Sequence, residues 1–170
     1  MIYRGRAYRA HDPRWAWSPT SGEGARANGG RFNRAGTAAL YMSLDLDTAL
    51  CEARQGFDDR LPPLTIVDYD IDVDPVADLT DASKLDQYGL AGDMLNCPWK
   101  RLALDGEPVP TWAIADLLLA LGFAGIIAQS LAPNAPQSGK NLVLWSWGDE
   151  LPHKVTVFDP QNRLKPPITK

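Results

Sequence analysis

The strongest apolar run in the chain, Leu64, Ile66, Tyr69, Ile71 and Val73, mixes β-branched and aromatic side chains ahead of the breaker Pro75 and predicts a strand over Leu64–Val73. Asp68, Asp70 and Asp72 alternate through it, which is the register of a strand surface that faces water. Three carboxylates at that spacing also resemble a cation site, but a wet strand face is the commoner reason for the pattern. Shorter patterns predict strands over Ile2–Tyr8, Ala38–Ser43, Ala124–Gln129, Asn141–Trp147 and Val155–Phe158.

Helical spacing appears in three places. Leu46, Ala49, Leu50 and Ala53 make a narrow apolar stripe that predicts a helix over Leu46–Gln55, with Asp45 or Asp47 able to cap it. Glu52 flanks that stripe. A second helix is predicted over Thr80–Leu90. A third, Thr111–Leu121, opens after Pro110 and ends at Gly122, with Trp112, Ala115, Leu118, Leu119 and Phe123 marking its inward side. Between these elements lie two long irregular stretches, His11–Asn28 and Ser130–Gly139, and loops of that length in a compact domain usually carry function. Strands fall before, between and after helices without regular βαβ alternation, so the fold class is α+β, in one compact domain. Its expected span is 1–158, with a loose tail over 159–170 that carries Pro166-Pro167.

Composition narrows the function more than the fold. A chain of 170 residues buries a core without metal or disulfide support. Cys51 and Cys97 form no C-x-x-C pair and have no histidine at ligand spacing, so neither a zinc site nor a disulfide framework is expected. No apolar leader opens the chain, and no segment approaches the roughly 18 uninterrupted apolar residues of a membrane span; a cytoplasmic protein is expected. The net charge of −4 argues against a general nucleic-acid binder. Its distribution is uneven, because residues 1–34 hold seven arginines against Asp12 and Glu23, a charge of +5 that leaves −9 on the remainder. An anion is expected to bind in this segment, although any one of its arginines taken alone is as well explained by a surface ion pair.

Gly29-Gly30-Arg31-Phe32-Asn33, followed by Tyr41 and then Glu52, carries the chemistry. An arginine on a glycine turn suits bidentate contact with phosphate, an aromatic on a strand can stack on a flat ring, and a carboxylate on the next helix can face developing positive charge. Together they describe a site that cleaves a charged nucleotide. Arg4 on the first strand is a candidate second donor, and Ser43 shares the face of Tyr41. Cys51 beside Glu52 lacks a paired histidine, so it reads as a small buried residue rather than a nucleophile.

These motifs, with Tyr3-Arg4-Gly5-Arg6, Ser130 and the Ser138-Gly139-Lys140-Asn141-Leu142 loop leading into a strand, resemble the RES domain, the toxin half of RES–Xre toxin–antitoxin pairs. The resemblance runs from Tyr3 to about Trp145 and matches Arg31, Glu52 and Ser130 to the arginine, glutamate and serine of the family's name. The chain departs from the pattern at Phe32, where tryptophan is usual, and at Leu131-Ala132-Pro133, which lacks a basic residue after the serine. The resemblance implies a fold similar to ADP-ribosyltransferase toxins, with twisted, partly orthogonal sheets framing a cleft. It implies NAD as substrate and no metal, since the pyridinium already leaves readily. The catalytic set would be Arg31, Tyr41 and Glu52, and NAD would be held by Arg4, Arg31, Tyr41, Ser43, Ser130 and Asn141. The implied reaction is transfer of ADP-ribose to a protein acceptor, phosphoribosyl pyrophosphate synthetase in a ParT-like branch, or hydrolysis or phosphorolysis of NAD. A cognate Xre-type antitoxin is the implied partner. A reading of another class, a non-catalytic nucleotide-binding module, would keep Arg31 but have no use for Glu52.

Overall fold

A computed structural model describes residues 1–164 apart from 56, 58 and 59. Seven strands form one mixed sheet: β1 (Tyr3–His11), β2 (Leu40–Ser43), β3 (Thr65–Val73), β4 (Val76–Asp78), β5 (Gly125–Gln129), β6 (Lys140–Leu144) and β7 (His153–Val157), in the order β4-β5-β6-β2-β1-β3-β7. Only β4 and β5 run parallel; the other neighbours are antiparallel. The sheet has two well-paired halves, because β1 and β3 match residue for residue from Tyr3↔Val73 to His11↔Thr65, whereas β1 meets β2 only at Tyr8↔Ser43. The α+β expectation is met by this twisted sheet and six helices: α1 (Glu23–Asn28), α2 (Leu46–Arg54), α3 (Ala82–Gln87), α4 (Gly92–Leu95), α5 (Trp99–Leu104) and α6 (Pro110–Ala120).

Alternation along the central strands puts apolar side chains on both faces. Ile127, Leu142 and Leu144 join Leu40, Met42, Tyr69 and Val73 in one buried cluster, while Ile126, Ala128 and Val143 pack on the other face with Phe32, Ile114 and Leu118. Helix α6 therefore buries Ile114, Ala115 and Leu118, and its expected inward residue Leu119 is 38% exposed, one position off that stripe. Asp45 caps α2, its carboxylate accepting from the Thr48 amide at 2.7 Å, and the helix packs against β1 and β2.

The expected wet face of β3 is confirmed in detail: Arg4 pairs with Asp72 at 2.9 Å and Arg6 pairs with Asp68, across the two strands. The irregular stretch after β1 is tied down. Tyr69 Oη and Arg9 Nη1 donate to the Pro19 carbonyl at 2.8 and 3.2 Å, and Trp147 Nε1 donates to Thr20 O at 2.9 Å. The expected loose tail is anchored as far as Leu164. Asp159 accepts from the amides of Arg163 and Leu164, both at 2.9 Å, and Leu164 packs on the core. The rest of that tail, with Pro166-Pro167, lies outside the described residues. No helix among the described residues is long and apolar enough to cross a membrane.

Leu118 is fully buried between α6 and the sheet. Leu118→Ala is expected to lower unfolding free energy by about 2–5 kcal/mol in urea titrations, through lost burial and the cavity left behind.

Candidate functional site

The turn that carries Arg31 is built by hydrogen bonds from distant side chains. Helix α1 stops at Gly29, whose φ of +72° suits glycine, and the Gly30 amide then donates to Asn33 O at 2.9 Å. A Cβ at Gly30 would collide with the Tyr41 hydroxyl and approach Asn33 Oδ1 within 2.6 Å, so the close approach requires glycine. The Tyr41 hydroxyl donates to Asn33 Oδ1 at 2.8 Å and accepts from the Phe32 amide at 3.0 Å. Two indoles complete the clamp, Trp112 Nε1 donating to Gly30 O and Trp145 Nε1 to Phe32 O, each at 2.8 Å. Asn33 donates in turn to the carbonyls of Ala25 and Thr37 at 2.9 and 2.8 Å. Burial raises the Tyr41 pKa far above the ordinary phenol value, against the opposing pull of the Phe32 amide and Arg31, so the ring stays neutral and its hydroxyl stays a donor.

Arg31 is half-buried beside this clamp. Its Nη1 donates to the carbonyls of Leu95 at 3.1 Å and Cys97 at 2.9 Å, between α4 and α5. Burial lowers its pKa, while Cys97, Glu52 and Tyr41 pull it upward; a guanidinium remains charged under either influence. Its Nε and Nη2 have no hydrogen-bond partner among the described residues, which leaves one side of the fork for an anion.

Glu52, on α2, is fixed by three donors. Ser130 Oγ donates to Oε1 at 2.7 Å, Asn141 Nδ2 donates to the same oxygen, and Gln55 Nε2 donates to Oε2 at 2.6 Å. A carboxylate only accepts, so Asn141 presents its NH2 to Glu52 and its carbonyl oxygen to Ser43 Oγ, at 2.7 Å. The paired register Ser43↔Asn141 of β2 and β6 makes that contact, and Ser130 Oγ is steadied by the Ala132 amide at 3.2 Å.

A cavity of about 400 Å3 brings these parts together, lined by Arg31, Tyr41, Glu52 and Asn141 with Trp99 and Lys100 at one side. A second lobe of about 240 Å3 shares Tyr41, Glu52 and Asn141 and adds Ser43. Five of the residues expected from sequence, Arg31, Tyr41, Ser43, Glu52 and Asn141, thus line one cleft. Ser130 does not line it; it stands behind Glu52 and touches the carboxylate. Arg4 is not there either, since its side chain lies on the wet face of β1 against Asp72. The β1 arginine at the site is Arg9, which lines both lobes. The signal for it was strand parity. Arg9 shares the face of the fully buried Ala7, whereas Arg4 and Arg6 share the opposite face with their carboxylate partners. Gln55 was legible too, three residues after Glu52 on one helix.

Comparison with known proteins adds family and fold. The family model described as the RES domain matches residues 6–165. The fold is similar to that in the crystal structure of the M. tuberculosis MbcT–MbcA toxin–antitoxin complex, with a TM-score of 0.59, 19% identity, and coverage of 94% of this chain and 84% of that one. Among curated proteins, none matches the chain significantly.

The Tyr41 hydroxyl holds the turn independently of any stacking by its ring. Tyr41→Phe leaves the Phe32 amide and Asn33 Oδ1 without that partner, and is expected to cost about 1–3 kcal/mol of stability in urea titrations. An unchanged unfolding midpoint would show that the clamp does not depend on this hydroxyl.

Proposed function

Because the chain belongs to the RES domain family, we propose that it is the toxin of a toxin–antitoxin pair and that it breaks the nicotinamide–ribose bond of NAD in the cleft around Glu52. The observation that carries this reading is the triply held carboxylate, on Ser130, Asn141 and Gln55, in the same cleft as a half-buried arginine with donors to spare. An anchor for phosphate beside a carboxylate fixed in place is what dinucleotide cleavage needs, and a plain nucleotide-binding module has no use for the second part.

In the proposed reaction Arg31 and Arg9 hold the pyrophosphate, and Tyr41 lies against the nicotinamide or its ribose. The C1′–N bond breaks with its electron pair going to the pyridinium nitrogen, which leaves as neutral nicotinamide. Positive charge then spreads over C1′ and the ring oxygen, where the Glu52 carboxylate stabilises it. Because its donors are already in place, the carboxylate needs no reorganisation at that moment. An acceptor nucleophile closes on C1′ and gives up its proton to solvent. Ser43 and Ser130 act through Asn141 and Glu52, as positioning residues.

The proposed acceptor is a protein, with phosphoribosyl pyrophosphate synthetase the one the family resemblance suggests. Exposed Lys100, Gln129 and Leu131 at the rim support an acceptor of that size. With water or phosphate as acceptor, the same machinery depletes NAD. The proposed partner is an Xre-type antitoxin that covers the cleft; the similar solved toxin was crystallised in complex with its antitoxin.

Purified protein mixed with NAD is expected to release nicotinamide, and adding phosphate or the candidate protein then separates the acceptors by where the ADP-ribose ends. Glu52→Gln keeps shape and removes charge, so nicotinamide release is expected to fall by about 10²- to 10³-fold with the fold retained by circular dichroism. Near wild-type turnover in that variant would remove Glu52 from the mechanism.

A further inference from the structure

Next to the cleft lies a separate cavity of about 490 Å3 that the reaction described above does not use. Its walls are Trp15 and Trp17, which are 59% and 41% exposed, with His11, Ser18, Glu23 and Asn28. Two large aromatic side chains this open within three residues leave apolar surface at the cavity on which an aromatic ring can stack. His11 forms part of the wall, its Nε2 buried and without a hydrogen-bond partner among the described residues. Burial, with Arg9 nearby, lowers the His11 pKa, which keeps the ring neutral and one of its nitrogens an acceptor.

The cavity and the cleft share part of their walls. Arg9 and Gly24 line both, and Arg9 is common to all three spaces. Arg9 Nη1 donates to Pro19 O and to Ser21 O at 3.0 Å, so the arginine that faces the cleft also fastens the segment carrying the tryptophans. A guanidinium between a carboxylate-bearing cleft and an indole-lined cavity matches the order of parts in a dinucleotide: ribose, pyrophosphate, base.

We propose that the Trp15–Trp17 cavity is the adenosine subsite of this enzyme, with the purine stacked on the indoles, while Arg9 spans the pyrophosphate between the two sites. This rests on the proposed NAD cleavage for its catalytic meaning. The anchored backbone, held by Tyr69, Arg9 and Trp147 rather than by the two indoles, allows both tryptophans to be replaced without unfolding the segment.

The test compares wild type with Trp15→Ala/Trp17→Ala on three probes. The double variant is expected to raise KM for NAD about tenfold or more with kcat unchanged, since base stacking on an aromatic is worth that much per base. Cleavage of nicotinamide mononucleotide, which lacks the adenosine half, is expected to be the same in both proteins. AMP is expected to quench tryptophan fluorescence in wild type, and its binding measured by calorimetry is expected to be lost in the variant. An unchanged KM for NAD, an equal loss on nicotinamide mononucleotide, or equal AMP affinity in the two proteins would overturn the subsite. Absence of any nicotinamide release by wild type would sink the cleavage reading instead, and the AMP titration would still decide the subsite.

Discussion

A turn enclosed by protein must have its amides and carbonyls paired, and around Gly30–Asn33 that requirement organises the cleft. The partners come from β2 (Tyr41), α6 (Trp112) and the end of β6 (Trp145), so the turn forms only where all three meet. Arg31 is thereby delivered to a defined place although its own side chain is long and flexible. Gly30 is required for the same reason, since the Tyr41 hydroxyl occupies the space a Cβ would take. Phe32 is 5% exposed and fills the core beneath the turn.

Charge is arranged by strand parity. Arg4 and Arg6 are spent on Asp72 and Asp68 along the wet side of β1 and β3, and Arg14 is held by Asp12 at 2.7 Å. Pairing with Asp72, Asp68 and Asp116 outside the segment cuts the surplus of +5 in the first 34 residues to +2, so no single broad basic patch forms. Exposed pairs of this kind add little stability, median values being about 0–1 kcal/mol, but they leave Arg9 and Arg31 as the arginines of this segment that reach the cleft.

Much of this was legible in the chain. The helix bearing Glu52, its Asp45 cap, the wet face of β3 and the two central strands follow from local pattern, because each is set by neighbours within a turn or a pleat. The short elements α1, which falls in the stretch expected to be irregular, β4, α4 and α5 were not, since three to six residues carry too little periodicity to stand above the background. Nor was the assignment of partners. Ser130 and Asn141 lie 78 and 89 residues from Glu52, and no local rule pairs them. Arg4 was expected at the site although strand parity sets it on the other face, which only the burial of Ala7 decides, and Leu119 was misplaced because an apolar helix such as α6 shows a poorly defined face.

The long sequence separation of the Glu52 donors has a consequence for synthesis. A ribosome-bound chain that has emerged only through β5 contains Glu52 and Arg31 but lacks Ser130 and Asn141, two of the three groups that hold the carboxylate. It also lacks β6, which lies between β2 and β5 in the sheet, and Trp145, which secures the arginine turn. The site thus requires β6 as well as the elements that precede it. Fragments that end before β6 therefore cannot hold the carboxylate or the arginine turn, and a partner that recognised the assembled cleft would find it only once β6 is in place.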